Sequence, residues 1–243
     1  MSKRTLTFLS LLSLCAATVA QADELFKWHT TNLQLLRGSA YELGDSHRWI
    51  STFEHAHAHR FGDTYAFIDL LKPDNGTSSY YGEISPRLSL SEITGRGLSS
   101  GIVKDVLVST TFEKAKNGRM QYLYGIAVDL AIPQFKFLKI NAYNHDNTAL
   151  SGDTWQVTVA WNRPFAVGSI NLLIEGFADF QGSEGRSAAN QLIVPRLLYD
   201  VGLASGLQAN KLWLGLEYQY WRNKFGVRGI TESAPQLQLK YIF

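Results

Sequence analysis

The chain has 243 residues, with 23 Lys+Arg against 21 Asp+Glu and a single cysteine. Loss of Lys3 and Arg4 with an N-terminal signal leaves both signs balanced, which argues against a basic surface for nucleic acid or an acidic tail. Cys15 lies inside that signal, so the mature chain has no disulfide or thiolate chemistry, and no unbroken apolar run of 18 residues beyond residue 22 offers a helical membrane span.

The first element is an address. Lys3 and Arg4 precede an apolar run over roughly residues 6–20, followed by Ala20-Gln21-Ala22, an A-x-A cleavage pattern. Leu14 before Cys15 is too bulky for a lipoprotein signal. Cleavage after Ala22 is expected, with residues 1–22 removed and residues 23–243 forming one domain.

From there the chain alternates. Segments with a period of two are predicted near residues 25–37, 47–58, 61–72, 79–90, 102–113, 119–131, 135–145, 154–163, 168–181, 189–201, 211–222 and 234–243. In the eighth, Trp155, Val157, Val159 and Trp161 oppose Gln156, Thr158, Ala160 and Asn162. In the last, Leu237, Leu239, Tyr241 and Phe243 oppose Gln236, Gln238 and Lys240, and the pattern ends on the final residue. Several segments run ten to twelve residues, enough to cross a bilayer when tilted, whereas soluble strands are usually about five or six. Aromatic residues gather at segment ends, as at Tyr80-Tyr81 and Tyr218–Trp221.

The connections alternate too. One set is compact (59–60, 132–134, 163–166), and the other is polar and rich in Gly, Asn and Asp (38–46, 73–77, 114–118, 144–152, 182–187, 223–233). That is the pattern of short periplasmic turns and longer outer loops, although 91–101 and 202–209 are long for the first set. The expected fold is all-β: a single closed antiparallel transmembrane β-barrel of about twelve strands, the one kind of sheet with no unpaired edge in lipid. Ile84-Ser85-Pro86-Arg87-Leu88 echoes Ile193-Val194-Pro195-Arg196-Leu197, on segments that would lie opposite each other. A local bulge is the expected reason for proline inside a strand.

The stretches TFEHA, FGDTYAFIDL and YYGEISPRLSL, within about residues 28–94, resemble the nucleoside-specific channel-forming (Tsx-like) outer-membrane proteins. The pieces that carry the resemblance are Glu54-His55, Gly62-Asp63, Phe67 with Asp69, and Glu83 followed by Pro86-Arg87. The resemblance implies a narrow twelve-stranded barrel in the bacterial outer membrane whose pore passes nucleosides or similar small polar solutes. Outer-membrane lipids, the barrel-assembly machinery acting through Phe243, and phage at the outer loops are its expected partners. A barrel with an occluded lumen, serving as a structural protein or surface receptor, is the alternative.

By parity, the polar face places Glu54, Asp63, Tyr65, Phe67, Asp69, Glu83, Arg87, Phe177, Arg196, Trp213 and Glu217 in the lumen as pore-lining or substrate-binding residues. Lys139, Glu175, Asp179 and Asp200 are further candidate lumen charges. A register pairing Asp69 with Glu83, and hence Tyr65 with Arg87, is expected from the loop length. Aromatic rings suit stacking on a base, and arginine and carboxylates suit the ribose hydroxyls.

His55, His57 and His59 fall on the opposite parity from Glu54, away from the lumen. Alternate residues on a strand lie about 6.6–6.8 Å apart along it, so adjacent pairs could reach one metal but three in a row would need bending. Interfacial histidines are the preferred reading, and no metal site or cofactor is expected. No catalytic residue is expected either: the serines nearest the histidines, Ser46 and Ser51, sit toward the other end of that segment.

Overall fold

The computed structural model describes residues 26–116, 118–203 and 205–243. The expected signal, its cleavage site and Cys15 lie outside them. The described residues form twelve strands: β1 (Trp28–Gly38), β2 (Arg48–His59), β3 (Gly62–Pro73), β4 (Ser79–Ser89), β5 (Val103–Ala115), β6 (Met120–Leu130), β7 (Phe137–Asn147), β8 (Thr154–Val167), β9 (Ile170–Gln181), β10 (Asn190–Asp200), β11 (Leu212–Arg222) and β12 (Thr231–Ile242). Each pairs antiparallel with its neighbours in sequence. β1 closes on β12 from Asn32↔Ile242 to Gly38↔Gln236, and the Phe243 N–H donates to Thr31 O at 3.0 Å.

The alternation of the sequence becomes an inside-out distribution of burial. Along β12, Leu237 is 56% exposed and its neighbour Gln238 is 0%. Leu33, Phe53, Ile68, Ile84, Phe112, Ile126, Leu197 and Leu216 likewise face outward, while Gln34, Glu54, Arg87, Asn141 and Gln236 are buried inside. In water this arrangement would be unfavourable, because it exposes apolar area worth roughly 25 cal/mol per Å² when buried. Lipid removes that cost, and closure pairs the backbone groups that lipid cannot.

The start of β1, the end of β12 and the 60–61 turn share one end, the periplasmic end by the sequence expectation. The connection 90–102 at that end holds a short helix, α1 (Leu90–Thr94), capped by the Ser89 side chain, which accepts from the Glu92 N–H, and closed by Gly95 at φ 66°. Its length departs from the short-turn pattern, as does that of 201–211.

Several boundaries differ from expectation by two to four residues, and two bear on the prolines and on closure. Residues 163–166, expected as a turn, continue β8 to Val167, and the chain reverses at 168–169. β8 overhangs β7, whose pairing stops at Phe137↔Asn162, while Pro164 pairs only with Leu173 of β9. A proline costs little where one side of a strand is unpaired. β12 also begins at Thr231, three residues before the expected start.

The expected bulges at Pro86 and Pro195 do not occur. The β4–β5 ladder lacks the pairs at 85 and 86 but keeps one register from Ile84↔Phe112 to Arg87↔Ser109. The β10–β11 ladder lacks those at 194 and 195 and resumes in register at Arg196↔Glu217. The opposite ladders run through both prolines. Each proline therefore removes a donor on one side of its strand without slipping it.

Candidate functional site: the lumen

β4 and β10 stand six strands apart in the ring of twelve, so the two Pro-Arg dipeptides lie on opposite walls of the barrel. Each arginine organises a charged network whose members come from strands up to several positions away in the ring. Arg196 Nε donates to Glu217 Oε2 at 2.6 Å, and its Nη1 lies 3.3 Å from Glu54 Oε1 and 3.7 Å from Glu175 Oε1. Lys240 Nζ donates to Glu175 Oε1 at 2.6 Å and lies 3.9 Å from Glu54 Oε2. Amides and a phenol complete the carboxylates: Asn32 and Tyr65 donate to Glu54, Asn162 to Glu175, and Gln236 to Glu217, each at 3.0 Å.

Opposite, Arg87 holds Asp63 with two bonds of 2.7 and 2.6 Å and Asp129 with two of 2.8 and 3.2 Å. Lys139 donates to Asp63 Oδ2 at 2.8 Å. Fork-on-fork pairing of this kind fixes a guanidinium in orientation as well as position.

Between these networks runs a row of inward aromatic rings. Tyr65 and Phe67 of β3 lie 5.8 Å apart between ring centroids, and Phe67 and Tyr81 of β4 also 5.8 Å. The row ends in carboxylates on both sides. Tyr65 donates to Glu54, and the Tyr81 hydroxyl lies 2.6 Å from Glu83 Oε1 and 2.8 Å from Glu113 Oε2. Tyr65 faces inward yet is 37% exposed, so the lumen has room beside β3. The β12–β1 wall is closed instead, with Gln34, Gln236 and Gln238 nearly fully buried. Asp69 accepts from Thr52 at 2.5 Å and Asp179 from Thr158 at 2.6 Å, on opposite walls.

The rim opposite the 60–61 turn is narrowed by loops. Glu184, in the 182–189 loop, reaches into the mouth; its Oε2 lies 2.9 Å from His145 Nδ1 and its Oε1 accepts the Asn147 N–H at 2.7 Å. That loop is tied to the next by Ala188 N–H donating to Gly226 O at 2.9 Å. Tyr41 donates to Gln236 at 2.6 Å beneath the Arg48 guanidinium, 4.0 Å from its ring centroid. Burial pushes the Tyr41 hydroxyl above its ordinary value. It also pulls the Lys224 ammonium, which pairs with Glu232, below its own.

The expected lumen residues thus divide. Glu54, Asp63, Arg87, Arg196 and Glu217 are gathered into the two networks, Tyr65 and Phe67 into the aromatic row, and Glu83 and Asp69 onto the same stretch of wall. Phe177 faces inward, half-buried, opposite Ala160 and Val194. Trp213 faces inward but packs with Leu173 and Leu198 in a closed apolar cluster at the end of β11 on the side of the 60–61 turn. Asp200 leaves the set of lumen charges: it accepts the N–H groups of Gly202 and Asn210 at 3.0 and 2.7 Å, capping the turn after β10.

The expected β3–β4 register is also corrected. Asp69 pairs with Tyr81, Phe67 with Glu83, Tyr65 with Ser85 and Asp63 with Arg87. The two-residue difference keeps every side chain on its expected face while changing its neighbour. Lys240, Tyr81, Glu113 and Glu184 were not among the predicted site residues. Parity places the first three on the polar face; Lys240 reaches partners two and three strands away on β2 and β9, whereas Tyr81 and Glu113 meet across the adjacent β4 and β5.

A closed barrel with a lipid-facing belt and a charged, partly open interior is a transmembrane channel barrel. Residues 26–243 match the family described as "Nucleoside-specific channel-forming protein, Tsx", and the chain belongs to that family. Outer membrane protein OmpK of Vibrio parahaemolyticus is 26% identical over 204 residues, covering 74% of this chain and 76% of OmpK. Two solved porins share the barrel fold. KdgM, in complex with disordered oligogalacturonate, has a TM-score of 0.54 at 8% identity, covering 88% of this chain and 99% of KdgM. NanC has a TM-score of 0.52 at 10% identity, with coverage of 86% and 98%. The protein is a channel for small solutes in the bacterial outer membrane, and its family and fold are of channel rather than enzyme type.

Proposed function

We propose that nucleosides pass along the Tyr65–Phe67–Tyr81 row, the base stacking on successive rings while the ribose exchanges hydrogen bonds with the flanking groups. The observation that carries this reading is the row itself: three inward rings at 5.8 Å intervals, bracketed by Glu54 with Arg196 at one end and by Glu83 with Glu113 at the other. Ribose hydroxyls donate to carboxylates and accept from arginine, and the base has an apolar face with polar edges. Several adjoining weak contacts suit conduction better than one tight site. The exposed flank of Tyr65 supports a path on this wall rather than along β12 and β1. Phe177 and Asp179, across the lumen, are proposed to line the same path.

The test is block of single-channel ion current by a nucleoside. Stacking is worth about 1–3 kcal/mol per base, so Phe67→Ala should raise the half-blocking concentration roughly 5- to 150-fold. Tyr65→Phe, which keeps the ring and loses the bond to Glu54, should have a smaller effect. Absence of block, or equal block in Phe67→Ala, contradicts the reading. The same proposal takes residues 1–22 as a removable export signal, Phe243 as the contact for barrel assembly, and the outer loops as surface accessible to phage.

A further inference from the structure

Four histidines crowd one patch of the barrel's outer wall at the periplasmic end. His55, His57 and His59 occupy alternate positions of β2, and His29 of β1 stands directly across from His57. All share the parity of Phe53, which is 45% exposed toward lipid, so none faces the lumen. The channel reading leaves them without a role.

We propose that His55 and His57 form a two-imidazole site for a first-row divalent transition metal, completed by water at the periplasmic edge of the membrane. His55 Nε2 and His57 Nδ1 are 3.2 Å apart. Two nitrogens each 2.0–2.1 Å from a metal are separated by about 3.2 Å when they subtend roughly 100° at it, an angle close to tetrahedral. A cation set off the line between the two nitrogens can therefore replace the hydrogen bond once the bridging proton leaves and each ring turns its lone pair toward the metal. The other nitrogen of His55, Nδ1, lies 2.8 Å from Thr31 Oγ1 on β1. That contact turns Nε2 toward His57, as second-shell partners orient metal-binding histidines. The paired register Thr31↔His55 and His29↔His57 supports both ligands on a sheet rather than on a loop.

The other two rings are set further back. His29 lies 6.5 Å from His55 and His59 lies 6.1 Å from His57 between centroids. Among the described residues no group of three or more His, Cys, Asp or Glu converges on one point. The remaining coordination positions thus belong to water, which the half-buried rings of His55 and His57 still meet. Imidazole suits copper, zinc and nickel, and Cu²⁺ binds a given nitrogen site tightest among the divalent first-row ions, so Cu²⁺ is the probe of choice.

The experiment uses the folded channel, free of any polyhistidine tag, titrated with Cu²⁺ in detergent and read by electron paramagnetic resonance. The expected result is a bound ion coupled to two imidazole nitrogens. His55→Gln or His57→Gln should lower the nitrogen count and weaken retention at least ten-fold, while His47→Gln in the outer loop should change neither. Ion conductance without metal should be unaltered in all three variants. A spectrum with one nitrogen, or undiminished retention in the His55→Gln/His57→Gln double variant, overturns the proposal. Should a variant not assemble, Zn²⁺ protection of the unsubstituted channel from histidine-modifying reagent decides the matter. Protection confined to His55 and His57 supports the site; protection absent, or spread equally over His29 and His59, contradicts it.

Discussion

Arg196 stands among three carboxylates, with its side chain only 14% exposed. Replacing one member of such a buried network leaves the others uncompensated, typically at about 3–5 kcal/mol. Arg196→Met should therefore destabilise the barrel by about that amount in denaturant titrations from lipid vesicles. A loss under about 1 kcal/mol would mean that the lumen screens these charges as an exposed surface does. The identity of these residues was legible in the sequence, because Glu54, Arg196 and Glu217 each fall on the polar parity of an alternating segment. Their partnership was not. Arg196 meets Glu54 across four strand positions of the ring, and which residues share a level depends on how far each strand is staggered against the next. A period of two reports the face and says nothing of the stagger. The same gap explains the register of Asp63 with Arg87, which a loop length could not set.

Strands were legible wherever one face is apolar, since slipping by a single residue would turn that face into the lumen. Punctuation by proline was the less reliable guide. Pro164 marks no turn because its strand is already unpaired on one side, and Pro86 and Pro195 interrupt ladders without bending the register. The loops carry a consequence of their own. Glu184 ties the 182–189 loop to His145 and the Asn147 N–H inside the mouth. Glu184→Ala removes both acceptors, so the loop should swing outward and single-channel conductance should rise, with weaker block by nucleosides. Unchanged conductance would show that the loop is held by its contacts with Gly226 and Asn223 instead.

Across the whole molecule, the lumen wall carries more carboxylates than cations. The two networks set Glu54, Glu175 and Glu217 against Arg196 and Lys240, and Asp63 and Asp129 against Arg87 and Lys139, which leaves a carboxylate in excess within the ion-paired groups. Rings of acidic side chains favour cations. Bilayers holding a KCl gradient should show a reversal potential of cation-selective sign, steeper at low salt where screening is weak; an anion-selective sign would contradict this charge pattern. An uncharged solute with stacking and hydroxyl groups is the cargo this interior accommodates with least electrostatic penalty. The most direct measurement is therefore uptake into liposomes carrying the purified channel, comparing a nucleoside with a free pentose and a free base at low external concentration. The nucleoside should enter fastest, because it alone engages the rings and the flanking polar groups together. Equal rates for all three would mean a general pore and contradict nucleoside selection.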